Sequence, residues 1–172
     1  MEIWDIYNAD RQKTGKTMVR GAAFESGAYH LAVHVCVFGS DGRMLIQQRQ
    51  SDKKDWPDLW DISVGGSAIA GENAAEAAER ELYEELGIRV DLTGIRPNLT
   101  FNFSNGFDNF FLIEKDVAIS EPVLQAEEVK DAKWATRDEI KQMMTDGIFV
   151  PYHPSLIDLL FEARMRFGAH CR

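Results

Sequence analysis

Residues 30–38, HLAVHVCVF, alternate strictly between two sets of side chains. Leu31, Val33, Val35 and Val37 face one way, and His30, Ala32, His34, Cys36 and Phe38 face the other. This predicts a strand with at least one buried face. Ser40-Asp41-Gly42 marks a turn, and Met44, Leu45 and Ile46 with polar flanks read as the paired return strand. The period then changes. Residues 73–86 have helical spacing, strong helix formers and no Gly or Pro, and Gly87 is placed to cap the C-terminus. Further strands are predicted over 88–92, 99–103, 109–113 and 129–134. Thr136 can cap a helix with Glu139 completing a capping box, and a final helix is predicted over 154–166. Strands and helices mix without regular alternation, which predicts an α+β fold or a mixed-sheet α/β sandwich.

The length of 172 residues predicts a single domain, 1–172, able to bury a core. Hydrophobic residues at 45% and charged residues at 27% give the profile of a soluble globular protein. The longest uncharged run, 26–40, contains two histidines and is too short and polar to span a bilayer, which takes about 20 apolar residues. Acids in Met1-Glu2-Ile3-Trp4-Asp5 stand where a signal peptide would carry lysines, so a cytoplasmic location is expected. Cys36 and Cys171 read as free thiols in that compartment. The net charge of −9 argues against a nucleic-acid polymer as partner, and no membrane partner is expected. An acidic protein acting on an acidic substrate needs local positive charge, and bound metal is one way to supply it. A homodimer is compatible with the sequence.

The helix over 73–86 carries the most specific chemistry. At roughly 100° per residue, Glu84 and Glu85 fall about 60° and 40° to either side of Glu81, on one face. Ala74, Ala77 and Ala78 share nearly the same sector, while Ala75, Leu82 and Leu86 form an adjacent apolar stripe. Like-charged neighbours one turn apart cost about 0.2–0.5 kcal/mol per pair on an exposed helix, and more when buried. A hard divalent cation resolves that conflict, because it takes oxygen ligands and keeps positions for water and phosphate. Gly65 and Gly66 precede the helix, where a backbone without Cβ can approach a ligand closely. A solvated acidic helix is the plain alternative for the three glutamates taken alone.

The full spacing decides against that alternative. Residues 66–88 match GX5EX7REUXEEXGU, with U a bulky aliphatic, at Gly66, Glu72, Arg80, Glu81, Leu82, Glu84, Glu85, Gly87 and Ile88. A chance match at one start point is on the order of one in 10⁹. The segment resembles the Nudix box, and the likeness in strand order and in the acidic segment 125–129 extends over most of the chain. The resemblance implies an α/β/α sandwich around a mixed sheet, with the box forming loop, helix, loop. It implies a hydrolase that cleaves a diphosphate linkage with Mg²⁺ or Mn²⁺. Glu81, Glu84 and Glu85 would be the metal-binding acids, with Glu81 and Glu85 the most dependable pair, and the carbonyl of Gly65 an additional ligand. Arg80 would orient the carboxylates and Glu72 would brace the loop against the helix.

Outside the box the candidates are less specific. Glu127 or Glu128 would supply a further ligand or a general base, or else form a solvated acidic turn. Arg49, Lys53 and Lys54 follow the second strand and could meet substrate phosphates or solvent. His30 and His34 lie on one side of their strand, to line a cleft or to pack. Trp56 and Trp60 are expected in the core or the cleft wall.

The stretch RQSDKKDWPDLWDISVGGS (49–67) is also similar to isopentenyl diphosphate isomerase, which shares the Nudix fold but moves a double bond. That enzyme has a catalytic cysteine followed by Gly and a metal-binding His where this chain has Gly65-Gly66-Ser67. His30 matches one of its metal ligands, which does not restore the site, and the complete box favours a hydrolase. A non-catalytic Nudix domain that senses a nucleotide is a third reading, opposed by the intact glutamates. Nucleoside diphosphates and triphosphates, ADP-ribose, dinucleotides and non-nucleotide diphosphates all remain open as substrates.

Overall fold

The computed structural model describes residues 2–118, 124–166 and 168–170. The chain opens with β1 (Ile3–Tyr7) and β2 (Lys13–Val19), which pair as an antiparallel hairpin of their own. Then come β3 (His30–Phe38), β4 (Met44–Arg49), β5 (Trp60–Asp61), β6 (Val64–Ser67) and α1 (Ala74–Leu86). The rest comprises β7 (Leu99–Phe103), β8 (Gly106–Glu114), β9 (Val129–Ala135), α2 (Arg137–Thr145) and α3 (Pro154–Ala163).

β3 organises a mixed sheet. It runs parallel to β8 along its whole length, pairs antiparallel with β6 through Ala32 to Val35, and meets β4 at Phe38 and Met44. β4 in turn pairs antiparallel with β9 and β5, and β7 pairs antiparallel with β8. The alternation of β3 sorts its side chains into two cores. Val33, Val35 and Val37 pack with Ala77, Ala78, Leu82 and Leu86 of α1. Cys36 and Phe38 pack on the other side with Ile140 and Met143 of α2 and Ile157 and Leu160 of α3. Helices thus cover both faces, giving the expected α/β/α sandwich around a mixed sheet. Complete burial of a Leu such as Leu82 or Leu86 contributes about 1.5–3 kcal/mol.

Gly87 closes α1 at φ 67°, as sequence predicts, and Asn73, read there as the first helical residue, is instead the N-cap, in a reciprocal capping box with Glu76. Thr136 and Glu139 form such a box for α2. Two expectations need correction, and one element was unforeseen. Residues 88–92 are not a strand: the alternation is met by burying Ile88 and Leu92 against α1 without any strand partner, and the Leu92 amide is taken by the Glu79 carboxylate. The final helix ends at Ala163, short of residue 166. The β1–β2 hairpin was not expected, because β2 is almost wholly exposed and shows no apolar period. Among the described residues no helix is long and apolar enough to cross a membrane. Cys36 is a buried free thiol, and Cys171 lies outside the described residues.

Candidate active site

The loop before α1 and the polar face of α1 form one wall of a cleft of about 670 Å³. Pairing of β6 with β3 sets Gly65 opposite His34 and Gly66 opposite Val33, so the two glycines are fixed by the sheet rather than by a loose loop. A Cβ on Gly66 would lie 2.2 Å from Cδ and Oε1 of Glu81. Only glycine lets that carboxylate approach the strand. A Cβ on Gly65 would press the His34 ring at 3.1 Å.

Arg80 is the hub of the wall. Its Nε and Nη2 donate to the two Glu72 oxygens at 2.7 and 3.0 Å, and Nη2 also donates to the Ser67 carbonyl at 3.0 Å. Glu72 in turn accepts from the Ile69 amide at 3.0 Å, which ties the loop to the helix. Nη1 lies 3.1 Å from Glu81 and 3.0 Å from Glu84. Burial pushes the Glu81 carboxyl up while the Arg80 charge opposes it. Glu85 is more extreme. It is only 7% exposed, and burial pushes its carboxyl up to about 8. The Gln47 hydrogen bond works against that rise, and the charges of Glu81, Glu128 and Asp61 add to it.

The three glutamates therefore differ. Glu85 and Glu81 are sunk in the cleft floor, whereas the Glu84 side chain is half exposed and turned to Arg80. As they stand, no three His, Cys, Asp or Glu side chains among the described residues are gathered closely enough to hold a metal ion. The donor set nevertheless suits a hard cation. The largely covered Glu81 sits against a backbone cradle that a single methyl would fill, Glu85 is buried one turn on, and a cation would offset the desolvation of both.

The same cleft is lined by Arg49, Lys53 and Lys54 and by Glu127 and Glu128. Lys53 is ion-paired with Glu128, which joins the loop after β4 to the turn before β9. Arg49 donates through Nε and Nη2 to the Asp55 carbonyl at 3.2 and 3.0 Å. Five Lys or Arg and eight Asp or Glu side chains line the cleft, a formal excess of three negative charges. That excess disfavours an anion in the cleft, and a bound cation would offset it.

His30 is not part of this lining. Its ring is buried, stacked on Trp4 with centroids 4.2 Å apart at 8°. His34 contacts Asp108 at 3.1 Å and stacks on Phe110, behind the Gly65 backbone. Trp56 and Trp60 do not line the cleft either: Trp56 is exposed, outside the core as well, and Trp60 packs half-buried against the core beside α2 and α3. Sequence reasoning missed Gln47, which only the β4–α1 contact brings to Glu85. It also missed Glu2, Trp4, Arg20 and Gly21, which the N-terminal hairpin places at the cleft edge.

Comparison with known proteins shows the family. Residues 28–153 match the family profile for the NUDIX domain. The chain belongs to the Nudix hydrolase family. An uncharacterized Nudix hydrolase of Listeria monocytogenes is 48% identical over 152 residues, covering 88% of this chain and 90% of that protein. A crystal structure of a Deinococcus radiodurans protein superposes with a TM-score of 0.73 at 22% identity, over 94% of this chain and 99% of the other. The isopentenyl-diphosphate Delta-isomerase of Salmonella arizonae is 34% identical over 119 residues, 64% of each chain. The Nudix box of this chain is thus the loop–α1 wall, and its Glu72–Arg80 pair joins the two halves of the box.

Proposed function

We propose that the chain hydrolyses a diphosphate linkage in a small organic diphosphate, with Glu81, Glu85 and the Gly65 carbonyl holding Mg²⁺ or Mn²⁺ and Glu84 at the rim. The observation that carries this reading is the buried Glu85 and the largely covered Glu81 lining one cleft together with Arg49, Lys53 and Lys54. Bound there, the cation would neutralise developing charge on the phosphate oxygens and favour attack by water.

The chain's own residues supply the rest. Arg80 and Glu72 hold the box loop on α1, so the carboxylates meet the substrate from a rigid wall. Arg49, Lys53 and Lys54 take the phosphate oxygens of the substrate, Lys53 leaving Glu128 to do so. Glu128, or its neighbour Glu127, then accepts the proton of the attacking water. Isomerisation has no support in the site. Gly65 and Ser67 stand where the isomerase needs Cys and His, and Cys36 is fully buried in the core on the other face of β3.

A panel of nucleoside diphosphates and triphosphates, ADP-ribose, dinucleotides and isoprenoid diphosphates tests the proposal. Each is incubated with Mg²⁺ or Mn²⁺ and phosphate release is read with and without added phosphatase. Divalent-dependent cleavage of at least one is expected. Binding without turnover across the panel would favour the sensor reading instead.

A further inference from the structure

Behind Arg49 lies a buried polar chain that the proposed hydrolysis does not use directly. Asp61 is only 7% exposed, on the short strand β5 that pairs with β4. Its Oδ1 accepts a 2.8 Å hydrogen bond from the Tyr152 hydroxyl and another of 2.8 Å from the Ile62 amide. Its Oδ2 lies 3.5 Å from Nη1 of Arg49. Arg49 Nε and Nη2 are held on the Asp55 carbonyl, so the guanidinium is gripped from two sides. Its side chain is 19% exposed, at the cleft. Guanidinium has five N–H donors, and these contacts leave others for an anion in the cleft.

A buried carboxylate without a charged partner is costly, so Asp61 is held by what surrounds it. Tyr152 spends its hydroxyl on Asp61 although it lies far away in sequence, just before α3. Arg49 is a flexible side chain with much rotamer freedom in solution. Fixing it before substrate arrives removes that ordering cost from binding. We infer that Asp61 and Tyr152 are positioning residues that lock the Arg49 guanidinium as a preset anchor for the substrate diphosphate. The inference rests on the proposed diphosphate chemistry for the role of Arg49, and on the Tyr152–Asp61–Arg49 geometry for the lock itself.

Two measurements separate the lock from the chemistry. The first is the ¹⁵N-resolved Nη1 resonance of Arg49, the nitrogen that lies against Asp61, in the whole protein, compared between wild type and Tyr152→Phe. The Phe variant keeps the ring and removes the hydroxyl. In wild type a dispersed, slowly exchanging signal is expected, and in Tyr152→Phe it should move toward the free-arginine position and exchange faster. An unchanged signal overturns the inference, whatever the protein binds. The second is calorimetric titration with methylenediphosphonate, a diphosphate that cannot be hydrolysed, in Mg²⁺. Tyr152→Phe should weaken binding about tenfold, the scale of one lost hydrogen bond to a charged group. In an Arg49→Lys background the same change should have little further effect, since it acts through the guanidinium. Equal losses in both backgrounds overturn the positioning role. If the wild type binds no diphosphonate while the Arg49 signal still responds, the lock stands and the diphosphate reading falls.

Discussion

Gln47 donates a 2.7 Å hydrogen bond from Nε2 to Oε2 of Glu85 in the buried floor of the cleft. The donor stabilises the ionised carboxylate against the burial that pushes it up to about 8. Gln47→Leu keeps the bulk and deletes the donor. The acid limb of the kcat/KM profile should then move to higher pH by about one unit, the scale of a hydrogen bond to a charged group. A pH–rate series at a fixed, subsaturating Mg²⁺ concentration checks it. A profile that does not move would mean that Glu85 ionisation does not govern turnover.

Removing either sunken carboxylate should abolish most activity while leaving the fold. Glu81→Gln and Glu85→Gln are each expected to lower divalent-dependent turnover by at least about a hundredfold, as when metal-based charge stabilisation is lost. Circular dichroism should stay native, because Leu82 and Leu86 anchor α1 independently of its polar face. Glu84→Gln should cost less, since Glu84 is half exposed and turned to Arg80. Equal losses at all three positions would contradict the division of roles drawn from burial.

Gly66→Ala tests the close approach of strand and carboxylate. Its new methyl would lie 2.2 Å from Glu81 Oε1, which must swing away. The displaced group is the end of a flexible side chain, so the fold should persist with a melting temperature within a few degrees. Turnover should drop at least about tenfold, because a small displacement of a reacting group is enough for that. Steady-state kinetics beside a thermal melt separate the two effects. A variant that simply unfolds would point to Gly66 as a packing residue.

The box was legible in the sequence because its spacing encodes local geometry. Helix period and terminal glycine act within one segment, so the helix and Gly87 were read directly, while the equally local capping box of Asn73 and Glu76 was not. The alternation at 30–38 was equally local, and it sorted Val33 and Cys36 to opposite cores. The same alternation misled at 88–92, since period-2 burial does not require a strand partner. The rest depended on contacts between distant segments. Gln47 meets Glu85 only because β4 lies under α1, and Tyr152 meets Asp61 across 91 positions of chain. The difference between Glu84 and Glu85 was invisible to helical angles alone, because it comes from what covers each side chain.

Isomerase activity is a sharp negative test, given the 34% identity to an isopentenyl-diphosphate Delta-isomerase. Moving a double bond needs an acid and a base placed on carbon. Cys36 is enclosed among the residues under α2 and α3, and burial pushes its thiol up, far from the thiolate range. Incubation with isopentenyl diphosphate and Mg²⁺, followed by NMR, should show no dimethylallyl diphosphate. Its appearance would place the acid–base chemistry on residues other than Cys36 and revise the proposed function.

Stability against pH should report the strain of the empty carboxylates. A carboxyl whose folded value is raised to about 8 from an ordinary 4.5 binds its proton more tightly when folded. The native state then holds more protons than the unfolded state between those values, so stability falls as pH rises through that window. Below the unfolded value the contribution is fully present. In chelator, therefore, the wild-type melting temperature should decline from about pH 5 to pH 8, and Glu85→Gln should flatten that decline and melt higher at pH 8. Glu84→Gln should change little, because removing it also removes an Arg80 contact. Mg²⁺ binds the ionised native form alone, so it should raise the wild-type melting temperature most at high pH and Glu85→Gln least. Melts across pH, with chelator and with excess Mg²⁺, decide the matter. If wild type and Glu85→Gln trace the same curve in both, Glu85 is neither strained nor a ligand.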